Sequence, residues 1–576
     1  MGPTIKIEIE KSDEFGITKS FSNIKCTMPP FLSLNRFQGL LEKAKMDQKT
    51  YQMKGIEWCM QREKRNRGGI IADEMGLGKT ITMIGVFVSH YLPKTLIVVP
   101  IALLEQWAAQ ILRVTGHTPI IYHASGVRQY SLDVLEKSHI VLTTYGVVAR
   151  QYSMQKGDLY SITWGRVVFD EAHHMRNSRT QKHLGADMLK SKIRWLITGT
   201  PIQNYERDFV ALCSLLHMEP EEVRNDYMLR RTKKEVGIQI PDCMDENIQV
   251  PWNDVGEKQL AEEIHSLLSF TNVPASRGGV VANAIMQPAK KSVDPVKFER
   301  SRTLRALLLA KQCCIYPALL SSHIDRLLKQ HMIRDSHPCV AAVKKHNSKM
   351  DVVIDTVLSR RDNGCGKIIF CQFHGEMDEI KRRLTEGGLC VGTLDGRTTK
   401  TEKLAILNQY AEDYKYNVLI LQIQTCCEGL NLQEKYSEVY FASPHWNPAL
   451  EDQAVARCHR IGQNKVVQVF RFVMNGFDEL SDDEFYLIPS PKKKTDKTKT
   501  TDKNKTSNKT KTSNKTKTKT KTKTKKSKRK EPIQLQIVDE TFEVERKHPI
   551  SFDRHVTNVQ ETKRKIINEL MQQDLP

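Results

Sequence analysis

The sequence predicts an α/β protein made of two units, each built on a parallel sheet. Two observations carry this. Short apolar, β-branched runs alternate with amphipathic stretches over residues 47–236 and again over 367–441, as expected of strands buried on both faces and crossed over by helices. Several of the runs end directly on glycine-rich or acidic residues, which places the chemistry at the carboxyl edges of the sheets.

The elements follow in order. Residues 1–45 carry no repeating pattern and form an N-terminal appendage. The first unit, 46–236, has strands expected at 70–71, 96–99, 140–142, 167–169 and 195–197. Residues 237–345 break the alternation: 259–268 and 304–320 are helical in pattern, 272–295 are rich in Gly, Ala and Pro, and a mobile loop is expected at 276–279. Helical protrusions linking the two units are the expected reading. Strands resume at 367–370, 418–421 and 439–441, within a second unit spanning 346–480. A linker, 481–545, contains a Lys/Thr tract at 491–530 with no large apolar residue; it has nothing to bury and is expected to be disordered. A C-terminal helix within 546–576 is signalled by Val559, Ile566, Ile567 and Leu570.

The first motif is Asp73-Glu74-Met75-Gly76-Leu77-Gly78-Lys79-Thr80, set between apolar runs. A glycine-rich turn ending in Gly-Lys-Thr lets backbone N–H groups point at phosphates. Lys79 then supplies a charge to the β/γ-phosphates and Thr80 a hydroxyl to Mg²⁺. The strict phosphate-loop pattern wants glycine at position 73, where the chain has Asp73. Asp170-Glu171-Ala172-His173 ends a second apolar strand, 91 residues after Lys79. A carboxylate there is suited to holding Mg²⁺, and Glu171 to polarising the attacking water. Arg457 and Arg460 share one helical face, the spacing of a pair that can reach a γ-phosphate.

These blocks belong to a longer ordered series. Tyr51-Gln52, the phosphate loop, Val99-Pro100, Thr143-Thr144-Tyr145, the Asp-Glu-Ala-His block and Thr198-Gly199-Thr200-Pro201 come first. Ser348-Lys349, Gly429-Leu430-Asn431-Leu432, Trp446-Asn447-Pro448 and His459-Arg460-Ile461-Gly462-Gln463 follow. The series resembles the Swi/Snf-like branch of superfamily-2 helicases over roughly residues 46–475. The string from His445 to Ala454 looks most like the lodestar-type transcription termination factors and their post-replication-repair relatives.

The resemblance implies two RecA-like lobes with ATP and Mg²⁺ in the cleft between them. By analogy Gln52 reads adenine, and Gly76, Gly78, Lys79 and Thr80 hold the phosphates. Asp170 and Glu171 serve the metal and the water, and Arg457 and Arg460 act as fingers from the second lobe. Thr143, Thr144 and Asn431 are candidates for DNA contact, and Gln560, Lys563 and the Ile566-Ile567 pair look like the family's helix that packs back across the lobes as a brace. The segment 229–234, Leu-Arg-Arg-Thr-Lys-Lys, resembles the family's exit from the first lobe, with DNA contact and an exposed basic turn as its two readings. The implied function is a DNA-dependent ATPase that moves along duplex DNA and displaces or remodels bound proteins such as a polymerase or histones. A poxvirus-like nucleoside triphosphatase shares that chemistry. A strand-separating DNA or RNA helicase, or a nucleic-acid scaffold with a decayed ATPase, are the readings from other classes. Two departures stand out: Cys426-Cys427-Glu428-Gly429 replaces a glycine-rich family loop, and Ala456 replaces an Asp before the first finger.

Composition narrows the setting. The 576 residues carry a net charge of +21, but the 491–530 tract alone holds 18 Lys, one Arg and two Asp, leaving the rest almost balanced. Bulk charge is therefore no argument for nucleic acid; local clustering must be. Residues 525–530 fit a nuclear localisation signal and equally a solvated insertion. Thirteen cysteines include no C-x-x-C pair, so no zinc site is expected. No apolar run approaches the ~18 residues of a membrane span, and the N-terminus lacks a signal peptide's apolar core. An intracellular protein is expected, nuclear or, if viral, in the host cell or virus factory, and not secreted.

Overall fold

A computed structural model describes residues 34–123, 130–203, 206–274, 279–286, 295–345, 347–408, 417–426, 430–477 and 548–572. The Lys/Thr tract, most of the N-terminal appendage, most of the expected loop at 276–279 and the departure at 427–429 lie outside the described residues.

Two parallel sheets are present among them. The first contains β1 (Gly69–Ile71), β2 (Thr95–Val99), β3 (Ile120–Ile121), β4 (Ile140–Thr144), β5 (Trp164–Asp170), β6 (Ser191–Ile197) and β7 (Met228–Leu229). Their spatial order is β3-β4-β2-β5-β6-β1-β7. The β1, β2 and β5 cores are fully buried because helices cover both faces. Ile70, Leu96 and Val98 point into one core, and Ile71, Ile97 and Val99 into the other, the alternation a pleated strand imposes. Behind the sheet, Arg166 and Glu63 form a buried ion pair, with Trp195 Nε1 donating to Glu63 at 2.8 Å. That pair ties the Thr50–Glu63 helix to β5 and β6.

The second sheet contains β8 (Cys243–Val250), β9 (Gly366–Cys371), β10 (Val391–Leu394), β11 (Val418–Gln422), β12 (Tyr436–Phe441) and β13 (Val467–Met474), in the order β10-β11-β9-β12-β13-β8. Here the structure departs from the sequence reading. Residues 243–250, expected within the linking protrusions, form an edge strand paired along all eight positions with β13. The helices Val255–His265 and Pro295–Ile315 share a core with β9, β11 and β13. The reason is burial: Leu260, Ile264, Leu309 and Cys313 need an apolar face, and the second sheet supplies it.

The C-terminal helix, Phe552–Gln572, completes that core with Phe552 and Val556. Asp553 pairs with Lys349, both side chains at most 2% exposed, and Phe552 N donates to His265 Nε2 at 2.9 Å. Further along, Gln560 donates to Glu451 Oε1 at 2.9 Å and Lys563 to Trp446 O at 3.1 Å, while Ile567 packs on a core of the first sheet. The helix therefore bridges the two lobes.

Candidate functional site

The chain leaves β1 at Ile71 and turns through Gly76 and Gly78, whose φ angles are +92° and +75°. Glycine alone takes this region without strain. Gly78 caps the Lys79–Ser89 helix, so first-turn N–H groups and the helix dipole face the loop. Lys79 Nζ donates to Asp73 O at 2.8 Å. A Cβ on Gly199 would meet that ammonium at 3.4 Å, which is why the turn after β6 approaches so closely. Burial lowers the Lys79 pKa, against the charges of Glu171, Asp73 and Asp170.

Asp73, the residue where the strict pattern has glycine, is buried and clasped by Arg231, with Arg231 Nε 3.0 Å from Oδ1. Arg231 also donates to Tyr51 O, joining the loop to the segment that carries Gln52. Gln52 Nε2 donates to Leu77 O at 3.1 Å, so this side chain lies against the loop.

Asp170 ends β5 two strands from β1. Its Oδ2 accepts from Trp107 Nε1 at 2.7 Å and its Oδ1 from Glu171 N at 2.9 Å. Burial and the charge of Glu171 push the Asp170 carboxyl well above the usual carboxylate range. Burial acts on Glu171 in the same sense, but His173, Lys79 and Arg457 outweigh it and draw this carboxyl down. Glu171 is thus held as the anion. It has φ +50°, an unfavourable conformation for a residue with a Cβ and one that clusters at functional sites. Its Oε2 lies 3.3 Å from His173 Nδ1.

The second lobe completes the site, but not from one helical face as the spacing suggested: the helix Pro448–Val455 ends before Arg457, and both arginines lie in the turn that follows it. Arg457 Nε donates to Gln453 O at 3.2 Å, and its charge acts on both Lys79 and Glu171. Arg460 lies over the phosphate loop: a Cβ on Gly76 would come within 3.4 Å of its own Cβ. Burial, with the like charge of Arg457, lowers the Arg460 pKa to about 10. Gln52, Gly76, Gly78, Lys79, Thr80, Asp170, Glu171, Arg457 and Arg460 are therefore assembled in one cleft. Thr80 and Asp170 offer the hard oxygen donors that Mg²⁺ takes.

The other three candidates lie differently. Thr143 is fully buried and donates to Tyr122 O at 2.9 Å. Thr144 Oγ1 caps the Tyr145–Ser153 helix and lies 3.2 Å from His123 Nδ1. Both hydroxyls are engaged by neighbours within the lobe. Asn431 Oδ1 accepts from Arg460 Nη1, beside the phosphate loop. Trp107 was not singled out in the sequence, although a buried indole whose N–H must find a partner was the available signal.

Residues 51–227 match the SNF2-related domain and residues 348–462 the helicase conserved C-terminal domain. The chain belongs to the Swi/Snf-like ATPases of helicase superfamily 2. Among the family's proteins, a probable global transactivator of Orgyia pseudotsugata multicapsid polyhedrosis virus is 28% identical over 480 residues, covering 77% of this chain and 89% of that protein. The DNA repair protein RAD5A of Arabidopsis thaliana is 23% identical, over 71% of this chain and 56% of that one. Chromodomain-helicase-DNA-binding protein 8 of Danio rerio is 26% identical, over 73% and 18% respectively. The chain thus spans most of the viral relative and about half or less of the other two. A solved SWI2/SNF2 ATPase core of Sulfolobus solfataricus in complex with dsDNA is 24% identical, over 75% of this chain and 89% of that one, with a TM-score of 0.33. Members of this family are ATP hydrolases, and the chain carries both halves of the nucleotide-binding motor. No helix among the described residues is long and apolar enough to cross a membrane.

Proposed function

We propose that this Swi/Snf-like ATPase translocates on duplex DNA and uses ATP hydrolysis to displace or remodel proteins bound there. The observation that carries the reading is the split site: Arg460 from one lobe set over Gly76 of the other. Hydrolysis then requires the lobes to close, and a cycle of closure and release is what moves a motor.

Within that reading Lys79 and the loop N–H groups hold the β/γ-phosphates, and Gln52 lies where it can read the base. Bound Mg²⁺ would neutralise phosphate charge from Thr80 and Asp170, with Trp107 orienting the carboxylate. Glu171, held as the anion, takes the proton of the attacking water. Arg457 and Arg460 meet the charge that develops on the γ-phosphate. Duplex DNA is the substrate track, and the bound polymerase, histone or repair protein is the load. The viral transactivator and the plant repair protein favour transcription or repair roles, consistent with the lodestar-like string at 445–454. A nuclear or virus-factory setting goes with them.

ATP turnover measured without nucleic acid, and with duplex DNA, single-stranded DNA or duplex RNA, tests this. Duplex DNA is expected to stimulate several-fold, and triplex displacement to occur without strand separation. Stimulation by single strands alone would make the protein a strand-separating helicase.

A further inference from the structure

The segment 229–234 has a second role that its sequence, read as an exposed basic turn or a DNA contact, does not show. β7 pairs in parallel with β1, and the pairing continues beyond both strands: Ala72 N donates to Leu229 O at 2.7 Å and Glu74 N to Arg231 O at 2.9 Å. The exit segment therefore runs beside the phosphate loop in strand-like register. Alternate side chains of such a segment share a face, and both Arg231 and Lys233 turn inward. Arg231 takes Asp73. Lys233 takes Glu74 twice, through its own N–H at 2.8 Å and through Nζ at 3.1 Å.

Lys233 then reaches across the cleft. Its Nζ also donates to His459 O, in the second lobe, at 3.1 Å. His459 immediately precedes Arg460 in the chain, and a Cβ on Gly76 would meet Arg460 Cβ at 3.4 Å and Lys233 Cε at 3.6 Å. Only 8% of Lys233 is exposed, while its partner Glu74 is 39% exposed, so solvent screens the pair from the carboxylate side alone. One ammonium thus joins a carboxylate on the phosphate loop to the carbonyl beside the finger.

We propose that Lys233 is an interlobe latch: a positioning residue that holds the finger loop over the phosphate loop. The proposal rests on the reading of Arg460 as a finger, and its consequence is that the lobes stay closed through protein contacts alone. The exit segment then links lobe closure to the loop that grips the nucleotide. A change in the load on the second lobe reaches Glu74 and Asp73 through this one strand-like stretch.

The experiment compares Lys233→Met, which keeps the stem and removes the charge, with Lys233→Arg, which keeps a donor. Lobe separation is read by energy transfer between dyes on Cys390, which is exposed, and on a Met154→Cys site, 63% exposed in the first lobe. Lys233→Met is expected to lower transfer in the nucleotide-free protein. It should also lower kcat about tenfold or more, the effect of losing one charge-assisted hydrogen bond, with KM for ATP within about twofold. Lys233→Arg should retain most of both signals, and Glu74→Gln added to Lys233→Met should cost little more. Unchanged transfer in Lys233→Met would overturn the latch, as would equal losses in melting temperature and turnover for both Lys233 variants, the mark of a merely structural residue. Arg460→Ala separates the two readings: if it turns over ATP at the wild-type rate the finger role fails, while energy transfer still decides the latch.

Discussion

Asp170 and Glu171 are neighbours in sequence with opposite environments, and that difference sets their roles. Trp107 and the Glu171 N–H fix the Asp170 carboxylate, while His173, Lys79 and Arg457 keep Glu171 ionised against burial. Glu171→Gln removes the proton acceptor without changing shape. It should bind ATP as wild type does and lose turnover by about two to four orders of magnitude, measured as ATP affinity beside kcat. Lys79→Ala should lose both, since Lys79 grips the ground state. The phosphate loop, the Asp-Glu pair and the two arginines were legible because each is a local string with fixed chemistry. Arg231 on Asp73, Lys233 on His459 and Trp107 on Asp170 were not, because each joins residues brought together only by the fold. That Thr143 and Thr144 turn their hydroxyls onto neighbours within the lobe was hidden for a related reason: an ordered block in sequence does not say which way a hydroxyl points.

The Phe552–Gln572 helix is the element on which the lobes depend most. Its first turn buries the Asp553–Lys349 pair and donates to a neutral His265. Removing one partner of a buried pair leaves the other charge unpaired, so Lys349→Ala should cost about 3–5 kcal/mol in a denaturant melt. Burial lowers the His265 pKa to about 4, against weaker opposing effects of the hydrogen bond to Ala261 and the charge of Asp553, and lowers those of His445, beside the same helix, and His555, within it, to about 4 as well. A depressed histidine pKa means the unfolded chain takes up protons first as the pH falls below about 6.5. Stability is therefore full above that pH and is lost progressively down to about pH 4. A thermal-melt series over that window should show a steep fall in the wild type and a shallower one in His265→Gln; identical slopes would contradict the assignment. A brace across the lobes was expected from the family resemblance through Gln560, Lys563 and the Ile566-Ile567 pair, whereas the buried contacts with Lys349 and His265 were not, since the apolar spacing of Val559, Ile566 and Ile567 predicts a helix but not its partners. β8 was missed for the converse reason: exposed over most of its length, it lacks the buried apolar run that marks central strands.

At the scale of the molecule, two sheets are closed on each other by Arg460 over Gly76, Lys233 on His459 O, Asn447 on Gln203 and the C-terminal helix. Phe477 N donates to Pro549 O at 3.2 Å, so the described residues on either side of the Lys/Thr tract meet at one place. Removing 491–530 should leave turnover at saturating duplex DNA nearly unchanged. Its 19 cations should matter instead for DNA affinity, so the deletion should raise the DNA concentration needed and flatten the salt dependence. Loss of turnover at saturating DNA would make the tract part of the motor. The two-lobe α/β architecture was legible from the alternation of apolar runs, but the closed arrangement was not, because it is made by single contacts between distant segments. The most direct test of that arrangement is single-turnover ATP hydrolysis by Arg460→Ala at saturating duplex DNA. A finger that acts across the cleft predicts a rate lower by about 10³ or more with ATP affinity nearly unchanged; a wild-type rate, or an equal loss in affinity, would contradict it.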